Sequence, residues 1–487
     1  MSKKDFCPVA GKCGGCQLTN MDYQRQLKFK QARVVKLFGR QVRVSEIIPS
    51  PNIYGYRNKV SAAFGKTRSG KVISGIYKSS VHTIVDIKYC NIENRNADEI
   101  INSIKKIVTE MNIPVYDEKR QKGFIRHVTV RVAENTGEYL VTIVTGEEYF
   151  PKKEEFLSVL LKAHPEITTV VQNINNKFGS MVMGDKEKIL YGDGYITDIL
   201  CGKKFRISSG SFYQINKGQC ENLYSYVLKN SGIKKSDTVI DAYCGTGTIG
   251  IICSDIAKKV TGCELNSKAC EDAIVNAKLN GVENIKFEND DAGRFMKKLS
   301  RENRPADVVI TDPPRQGCSI EFLKAVVEMS PREIVYISCE PKTQARDTNF
   351  LTKNGYKIKK CTPFDMFPYT NHVETVVLLS HKKPDGHINV KVEFGEGEGK
   401  VPLDNIAKRA EEYKPKERVT YKMIKEYIEA KYGFKVHTAY IAEVKRDLGL
   451  PMYDAPNAVE ELKQSRKHPT AEKVEAIKDA LKHFEVI

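Results

Sequence analysis

Residues 238–250 read T-V-I-D-A-Y-C-G-T-G-T-I-G, a short apolar run that passes into a glycine-rich turn. Gly245, Gly247 and Gly250 satisfy the pattern G-x-G-x-x-G, and Glu264 closes the next apolar run. A strand, a glycine turn, a helix and an acid that binds ribose hydroxyls together form a nucleoside-binding site. The stretch therefore predicts an α/β domain whose ligand is NAD or S-adenosylmethionine.

Apolar runs and helical patterns alternate along the residues that follow this stretch. Parallel strands joined by helices produce such alternation, so we expect a doubly wound, Rossmann-like sheet. The predicted strands are 238–242, 259–263, 285–287, 308–310, 334–338 and 375–379, and the predicted helices are 249–258, 268–279, 320–329 and 344–353.

Two of the predicted strands end in reactive or charged side chains. Residues 334–341 read I-V-Y-I-S-C-E-P, and D-P-P-R at Asp312–Arg315 follows the run V-V-I. Open α/β sheets bind ligands at the carboxyl ends of their strands, so Cys339 is a candidate nucleophile. A lone cysteine is also common as a small buried apolar residue. Asp241 and the D-P-P-R turn favour S-adenosylmethionine over NAD.

The length of the chain and its net charge limit the number of domains and the kind of partner. The 487-residue chain is too long for one hydrophobic core, so we expect about three domains. Of the net charge of +17, little belongs to residues 387–487, which hold 19 Lys and Arg against 18 Asp and Glu. A basic front region indicates a polyanionic partner, in an enzyme or in a structural RNA-binding protein. With no apolar run of membrane-spanning length and no apolar segment behind 1–5, we expect a cytoplasmic protein without membrane contact.

Cysteines cluster near the amino terminus. Cys7, Cys13 and Cys16 lie in C-P-V-A-G-K-C-G-G-C, and Cys90 follows an apolar run as the candidate fourth ligand. Disulfides are disfavoured in a reducing compartment, so metal binding or catalysis is the better expectation. The spacing suits an iron–sulfur cluster, with zinc as the competing metal and a purely structural role as a third reading.

The rest of the chain is predicted to divide as follows. Residues 1–205 are expected to form a β-rich region, in which the cysteines favour an iron–sulfur site and the basic charge favours RNA binding. Residues 206–385 are expected to form the cofactor-binding domain, 386–400 a linker and 401–487 a helical, winged-helix-like extension. Arg126, His127 and Arg131 alternate with apolar residues in the β-rich region. That pattern fits stacked bases or bound phosphates, and equally an ordinary exposed strand face.

Taken together, these motifs resemble the S-adenosylmethionine-dependent RNA uracil-C5-methyltransferases, in their iron–sulfur-containing ribosomal RNA branch. The likeness runs from Cys7 to about Ser380 and rests on C-P-x4-C-G-G-C, G-S-F-Y-Q-I-N, D-A-Y-C-G-T-G-T, D-P-P-R-x-G, S-C-E-P and D-M-F-P-Y-T-N-H-V-E-T. It implies that 19–51 pack on a catalytic methyltransferase domain at 206–385. It also implies a [4Fe–4S] cluster on Cys7, Cys13, Cys16 and Cys90, an S-adenosylmethionine pocket lined by Gln214, Tyr243, Thr248, Glu264, Asp291 and Asp312, Cys339 as nucleophile and Glu374 as base.

The implied chemistry explains these residue types. Carbon 5 of uracil is a poor nucleophile, so a thiolate first adds to carbon 6 and creates an enolate that accepts a methyl group. A carboxylate must then remove the proton from carbon 5 before the thiolate leaves. Glu374, expected at the start of the strand after Cys339, suits this role. Without Cys339 beside it, Glu374 is an ordinary glutamate at a strand end.

Three features depart from the family pattern. Glu340 follows the cysteine where relatives commonly have Asn, and a carboxylate facing the thiol raises its pKa whereas one facing away does little. Because the cysteine motif already begins at Cys7, we expect the small amino-terminal β-barrel of many relatives to be absent. The last hundred or so residues are an addition that the resemblance does not cover.

The resemblance predicts an enzyme that acts as a monomer on folded RNA, with 23S ribosomal RNA as the first target and transfer RNA as the second. A non-catalytic RNA-binding assembly factor and a dinucleotide-dependent oxidoreductase are the alternatives from other classes.

Overall fold

The computed structural model describes residues 7–78, 83–118, 120–177, 179, 181–302, 304, 306–382, 420–448, 450 and 468–484. One compact unit spans Met1–His387 and another spans Ile388–Ile487. The predicted linker at 386–400 lies outside the described residues, as does the first part of the predicted C-terminal extension.

The amino-terminal region contains a sheet whose strand order, over its described residues, is β3-β2-β1-β4-β5-β6-β7. Neighbouring strands are antiparallel, except that β5 and β6 are parallel. The strands are β1 (Lys59–Lys66), β2 (Val72–Tyr77), β3 (Ile84–Asp86), β4 (Ile125–Ala133), β5 (Glu138–Thr145), β6 (Ile167–Ile174) and β7 (Lys186–Tyr191).

Helices cover one face of this sheet. Arg95–Glu110 and Lys153–Ala163 pack on it, and Ile100 and Ile104 are fully buried in the core that includes Val60 and Val130. Successive residues of a strand point to opposite faces, so the neighbours of these valines face away from the helices. The helix Arg95–Glu110 begins at Asn94, whose side chain accepts hydrogen bonds from the first turn and so satisfies unpaired N–H groups.

A hairpin leads into the second sheet. β8 (Tyr195–Leu200) and β9 (Lys203–Ser208) pair antiparallel. The loop 209–216 follows, and the helix Lys217–Asn230 begins after its cap Asn216.

The second sheet has the strand order β12-β11-β10-β13-β14-β16-β15 within the described part of the chain. β10 to β14 are parallel, and β16 runs antiparallel to both β14 and β15. The strands are β10 (Thr238–Ala242), β11 (Lys259–Glu264), β12 (Ile285–Asn289), β13 (Val308–Thr311), β14 (Glu333–Ser338), β15 (Tyr356–Phe364) and β16 (Glu374–His381). The predicted Rossmann-like α/β fold is confirmed.

Helices pack on both faces of this sheet, as a doubly wound fold requires. One buried cluster includes Leu223 and Val239, and the other includes Phe322 and Ile334. The helix Tyr23–Phe38, from the amino-terminal region, buries Val34 and Phe38 in the second cluster. The helices that follow Lys217–Asn230 are Thr248–Cys253, Ser267–Leu279, Ala292–Arg301, Ile320–Met329 and Pro341–Lys353.

The unit Ile388–Ile487 contains the described helices Tyr421–Tyr432, Thr438–Asp447 and Ala471–His483. Their buried face includes Ile428 and Ile477. The winged-helix interpretation stays a prediction. None of the helices in the described part of the chain has the length and apolar composition needed to cross a bilayer.

Candidate active site

The glycine turn after β10 is shaped for close approach to the backbone. Tyr243, Gly245 and Gly247 all have positive φ, a region that glycine adopts without strain. A Cβ at Gly247 would lie 2.8 Å from the Phe287 ring, whereas one at Gly245 would meet no atom within 4 Å. The turn therefore packs tightly on one side and leaves open space in front of Gly245.

Three of the predicted cofactor residues lie at the carboxyl edge of the parallel strands. Glu264 ends β11, and Asp291 and Asp312 follow the ends of β12 and β13. Glu264 Oε2 accepts a hydrogen bond from the Gly245 N–H (3.0 Å), which joins the acid to the glycine turn. Asp291 caps the helix Ala292–Arg301 by accepting a hydrogen bond from its first turn. The acids thus lie at the same edge of the sheet as the glycine turn.

Thr248 and Gln214 reach the site from elsewhere. Thr248 begins the helix after the turn, and its hydroxyl is 3.3 Å from the Tyr224 hydroxyl. Gln214 lies in the loop 209–216, where its carbonyl accepts a hydrogen bond from Asn58 Nδ2 (3.2 Å). The buried Arg131 holds the same loop through hydrogen bonds to the carbonyls at 211 and 213. The amino-terminal sheet therefore positions Gln214.

Cys339 and Glu374 meet at the end of β14. The antiparallel register pairs Ser338 with Thr375, so the next residue beyond each, Cys339 and Glu374, lie across from one another. Glu374 is 3% exposed, and Cys339 is partly exposed. The expectation that Glu374 begins the strand after Cys339 is wrong in one respect. β15 comes next along the chain, but β16 inserts between β14 and β15 in the sheet.

Charges around the thiol act in opposite directions. Burial, and then the Glu374 and Asp312 carboxylates, raise the pKa of Cys339 to about 11. Arg315 opposes them through its charge and a hydrogen bond to the thiol. Burial, and then the charge of Asp312, raises the pKa of Glu374 well above its ordinary value. Burial also raises the pKa of Asp312 to about 6.

The Glu340 carboxylate turns toward the first turn of the helix that follows the thiol. Its side chain accepts a hydrogen bond from the Lys342 N–H (3.4 Å) as the cap of the helix Pro341–Lys353. Its own N–H donates to Ser338 Oγ (3.0 Å). A carboxylate at a helix N-terminus is stabilising. The charges that shift the pKa of Cys339 come from Glu374, Asp312 and Arg315, in keeping with the sequence-based alternative in which Glu340 has little effect on the thiol.

Sequence reasoning missed the side chains that fix the nucleophile. Gln344 Nε2 donates to the carbonyls of Tyr336 (2.8 Å) and Thr375 (3.0 Å), which joins the helix to β14 and β16. Asp347 accepts hydrogen bonds from the Tyr336 hydroxyl (2.6 Å) and the Cys318 N–H (2.8 Å). The available signal is their i, i+3 spacing after S-C-E-P, which puts two polar residues on one helix face.

The segment before Glu374 is clamped by the amino-terminal region. Lys30 Nζ lies 2.5 Å from Asp365 Oδ1, and both side chains are fully buried. The Tyr56 hydroxyl donates to the Pro368 carbonyl (3.0 Å). Glu374 is therefore placed both by strand pairing and by contacts that precede it.

The four predicted ligand cysteines surround one cavity. Cys7, Cys13, Cys16 and Cys90 all line it, with Ile87 and Ile92 among the apolar walls. The Gly15 N–H donates to Cys13 Sγ (3.4 Å). Across the described residues, no three His, Cys, Asp or Glu side chains converge on a position for a single metal ion.

Comparisons with known proteins agree with this geometry. A family model described as tRNA (uracil-5-)-methyltransferase matches residues 166–382. An RNA methyltransferase of Halalkalibacterium halodurans is 40% identical over 381 residues, which cover 77% of this chain and 83% of the relative. One of Clostridium tetani is 41% identical over 379 residues, covering 77% of this chain and 82% of the relative. Both relatives are described as uncharacterised RNA methyltransferases.

A solved structure extends the likeness to the fold. The tRNA (uracil-54, C5)-methyltransferase of Pyrococcus abyssi, bound to S-adenosylhomocysteine, is 30% identical. It aligns with a TM-score of 0.64 over 75% of this chain and 85% of its own. This chain belongs to the S-adenosylmethionine-dependent RNA uracil-5-methyltransferases.

Proposed function

We propose that this enzyme forms 5-methyluridine through a covalent bond between Cys339 and carbon 6 of the target uracil, with Glu374 as the base. The observation that carries the proposal is the β14–β16 register, which sets a partly exposed thiol across from a buried carboxyl group. Few structural roles require both groups at the carboxyl edge of a sheet, where such folds bind their ligands.

Each side chain has a role that its surroundings support. The Arg315 guanidinium favours the Cys339 thiolate that adds to carbon 6. After methyl transfer to carbon 5, the Glu374 carboxylate removes the proton from that carbon. The electron pair of the broken C–H bond restores the C5–C6 double bond and expels the thiolate. The raised pKa of Glu374 makes its carboxylate a stronger base, as this step needs.

The residues at the carboxyl edge fit S-adenosylmethionine. We infer that Glu264 binds the ribose hydroxyls and that Asp291, Asp312, Gln214, Tyr243 and Thr248 line the remaining pocket. The open space at Gly245 supports this assignment. When bound, the cofactor supplies an electrophilic methyl group on a sulfonium.

The proposed substrate is 23S ribosomal RNA. The likeness to the cluster-containing branch supports this choice, and the basic front region suits folded RNA. Transfer RNA is the second candidate, supported by the family model and by the named substrate of the Pyrococcus abyssi enzyme. We infer a monomer in the cytoplasm. The thirteen cysteines, all within the described residues, form no disulfide, which suits a reducing compartment.

Mapping 5-methyluridine in ribosomal and transfer RNA from cells with and without the protein tests the substrate. We expect the modification to disappear at one or more uridines of 23S ribosomal RNA. Complementation with Cys339→Ala should fail, and complementation with Cys201→Ala, a change at another partly exposed cysteine, should succeed. If 5-methyluridine disappears only from transfer RNA, the assignment to ribosomal RNA is refuted. If it disappears from neither RNA, methylation of both substrates is refuted.

We also propose a [4Fe–4S] cluster on Cys7, Cys13, Cys16 and Cys90. Their positions around one cavity support it. Each thiolate of a cubane cluster binds a different iron. The four cysteine sulfurs around a cluster are therefore further apart than the ligands of a single metal ion. The Gly15 N–H bond to Cys13 Sγ is of the kind that tunes cluster sulfurs.

An anaerobic preparation should be brown, lose its colour in air and contain iron and sulfide. Cys16→Ser should lose both. A colourless anaerobic protein with one zinc per chain would refute the cluster.

A further inference from the structure

The face of the amino-terminal sheet opposite its two helices carries a cavity of about 470 Å³. It is separate from the residues assigned above to catalysis, cofactor or cluster. Its size lies within the range of ligand pockets. The lining includes Lys59, Ser61, Tyr77, His127 and Thr129.

Strand register explains the hollow. Ala63 pairs with both Gly75 and His127, and Ser61 pairs with Thr129. Small side chains on β1 and β2 thus form the floor, while the larger His127 and the ring of Tyr77 rise beside it. Residues of this face alternate with the core valines of the opposite face, so they do not belong to the core beneath the helices.

Polar atoms in the cavity wall lack partners within the described part of the protein. His127 is 8% exposed, and its Nδ1 has no hydrogen-bond partner among described residues. Burial, and then the charge of Arg126, lowers the pKa of His127 to about 4, so the ring is neutral. Its Nδ1 can donate or accept, depending on the tautomer. A buried polar atom without a partner is costly, and a ligand that bonds to it recovers that cost.

The aromatic and cationic groups indicate the kind of ligand. The Tyr77 and His127 rings lie edge to face with centroids 6.3 Å apart, and both residues line the cavity. Burial lowers the pKa of Lys59 to about 8, so it supplies a cation at neutral pH, and Glu118 adds a carboxylate that accepts from the Tyr77 hydroxyl (2.7 Å). The Ser61 and Thr129 hydroxyls supply a hydrogen-bonding pair (2.9 Å). Aromatic faces with hydrogen-bonding groups and a cation recognise an unstacked nucleotide.

The cavity also adjoins the loop that carries Gln214. Ser209, at the start of that loop, lines the cavity. Arg131, paired with Lys59 across the sheet, donates to the carbonyl of Ser211 (3.0 Å). Phe212, at the tip of the loop, is 67% exposed. The cavity therefore lies beside the loop that carries Gln214.

We propose that the cavity binds a second unstacked nucleotide of the substrate RNA, next to the uridine that is methylated. The proposal rests on the RNA methyltransferase function proposed above and assigns part of its substrate recognition to the amino-terminal sheet.

Binding of a substrate RNA stem-loop in the presence of S-adenosylhomocysteine tests the proposal. His127→Phe keeps an aromatic ring and removes the nitrogens, and we expect it to weaken RNA binding about tenfold. Lys59→Gln should weaken binding more than Lys66→Gln, a matched loss of charge at the exposed end of the same strand. Ser61→Leu, which fills the cavity, should behave as His127→Phe does.

Abasic substitutions identify the nucleotide. Removing one base other than the target should weaken binding to the wild type but should not weaken binding to His127→Phe further. Equal effects of Lys59→Gln and Lys66→Gln, or full additivity of every abasic substitution with His127→Phe, would overturn the proposal. If the cavity variants still form the Cys339 adduct with 5-fluorouridine RNA at saturation, a failed binding test leaves the proposed function standing.

Discussion

Arg315→Gln should lower the reactivity of Cys339 through the thiol pKa. With a pKa of about 11, about one Cys339 thiol in a thousand is ionised at pH 8, because each unit is a factor of ten. Arg315 is exposed, so its loss should raise the pKa by about one unit, the low end for a neighbouring charge. The thiolate fraction then falls about tenfold, while the intrinsic nucleophilicity of the thiolate rises about threefold. The net expectation is alkylation about three times slower.

The assay is the rate of iodoacetamide alkylation of the Cys339 peptide between pH 7 and 10, read by mass spectrometry. The wild-type rate should rise about tenfold per pH unit without a plateau, because this range lies below the pKa. Arg315→Lys should restore part of the rate, and Arg301→Gln, at an exposed helix end, should match the wild type. A wild-type plateau below pH 9, or equal rates for Arg315→Gln and wild type, would refute the reasoning.

Glu374→Gln should methylate carbon 5 yet retain the methylated RNA on the enzyme, because the carbon 5 proton has no acceptor; free product at the wild-type rate would contradict the assignment. Lys30→Met should lower the free energy of unfolding, measured in urea, by about 3–5 kcal/mol because it leaves the Asp365 charge buried without a counter-charge. Adding Asp365→Leu should restore most of that stability. A loss under about 1 kcal/mol for Lys30→Met would show that the pair is not buried as described. Glu340→Asn should keep the alkylation profile of Cys339 and the melting temperature, since Asn also caps helices; a shifted profile would show that Glu340 acts on the thiol. Gly247→Ala should bind S-adenosylhomocysteine at least tenfold more weakly in calorimetry, from strain at positive φ and a clash; unchanged affinity would argue against a tight turn.

The second sheet could be predicted because its strands are strongly patterned. The run before Gly245 and the run before Cys339 are buried on both faces, so the apolar residues form unbroken stretches. β15 escaped prediction because its first half, Y-K-I-K-K, alternates lysines with apolar residues at a sheet edge. Because β15 was missed, Glu374 was expected on the first strand after Cys339, whereas it begins the second, β16.

The amino-terminal region was harder to predict. The sequence pattern predicted a β-rich region and missed the helix Arg95–Glu110, although Ile100, Ile104 and Val108 follow helical spacing. The approach of Cys90 to Cys7 depends on contacts across the sheet and the loops around it, which the sequence does not encode as a local pattern. The support of Gln214 by Arg131 is of the same kind, since it joins residues 80 or more positions apart.

The most direct test is the covalent intermediate itself. The enzyme is incubated with S-adenosylmethionine and substrate RNA that carries 5-fluorouridine, whose fluorine cannot be removed as a proton, and the cross-linked peptide is sequenced. The account predicts a methylated fluorouridine adduct on Cys339, absent in Cys339→Ala and retained in Cys201→Ala. An adduct on another cysteine, or methylated RNA released without any adduct, would contradict it.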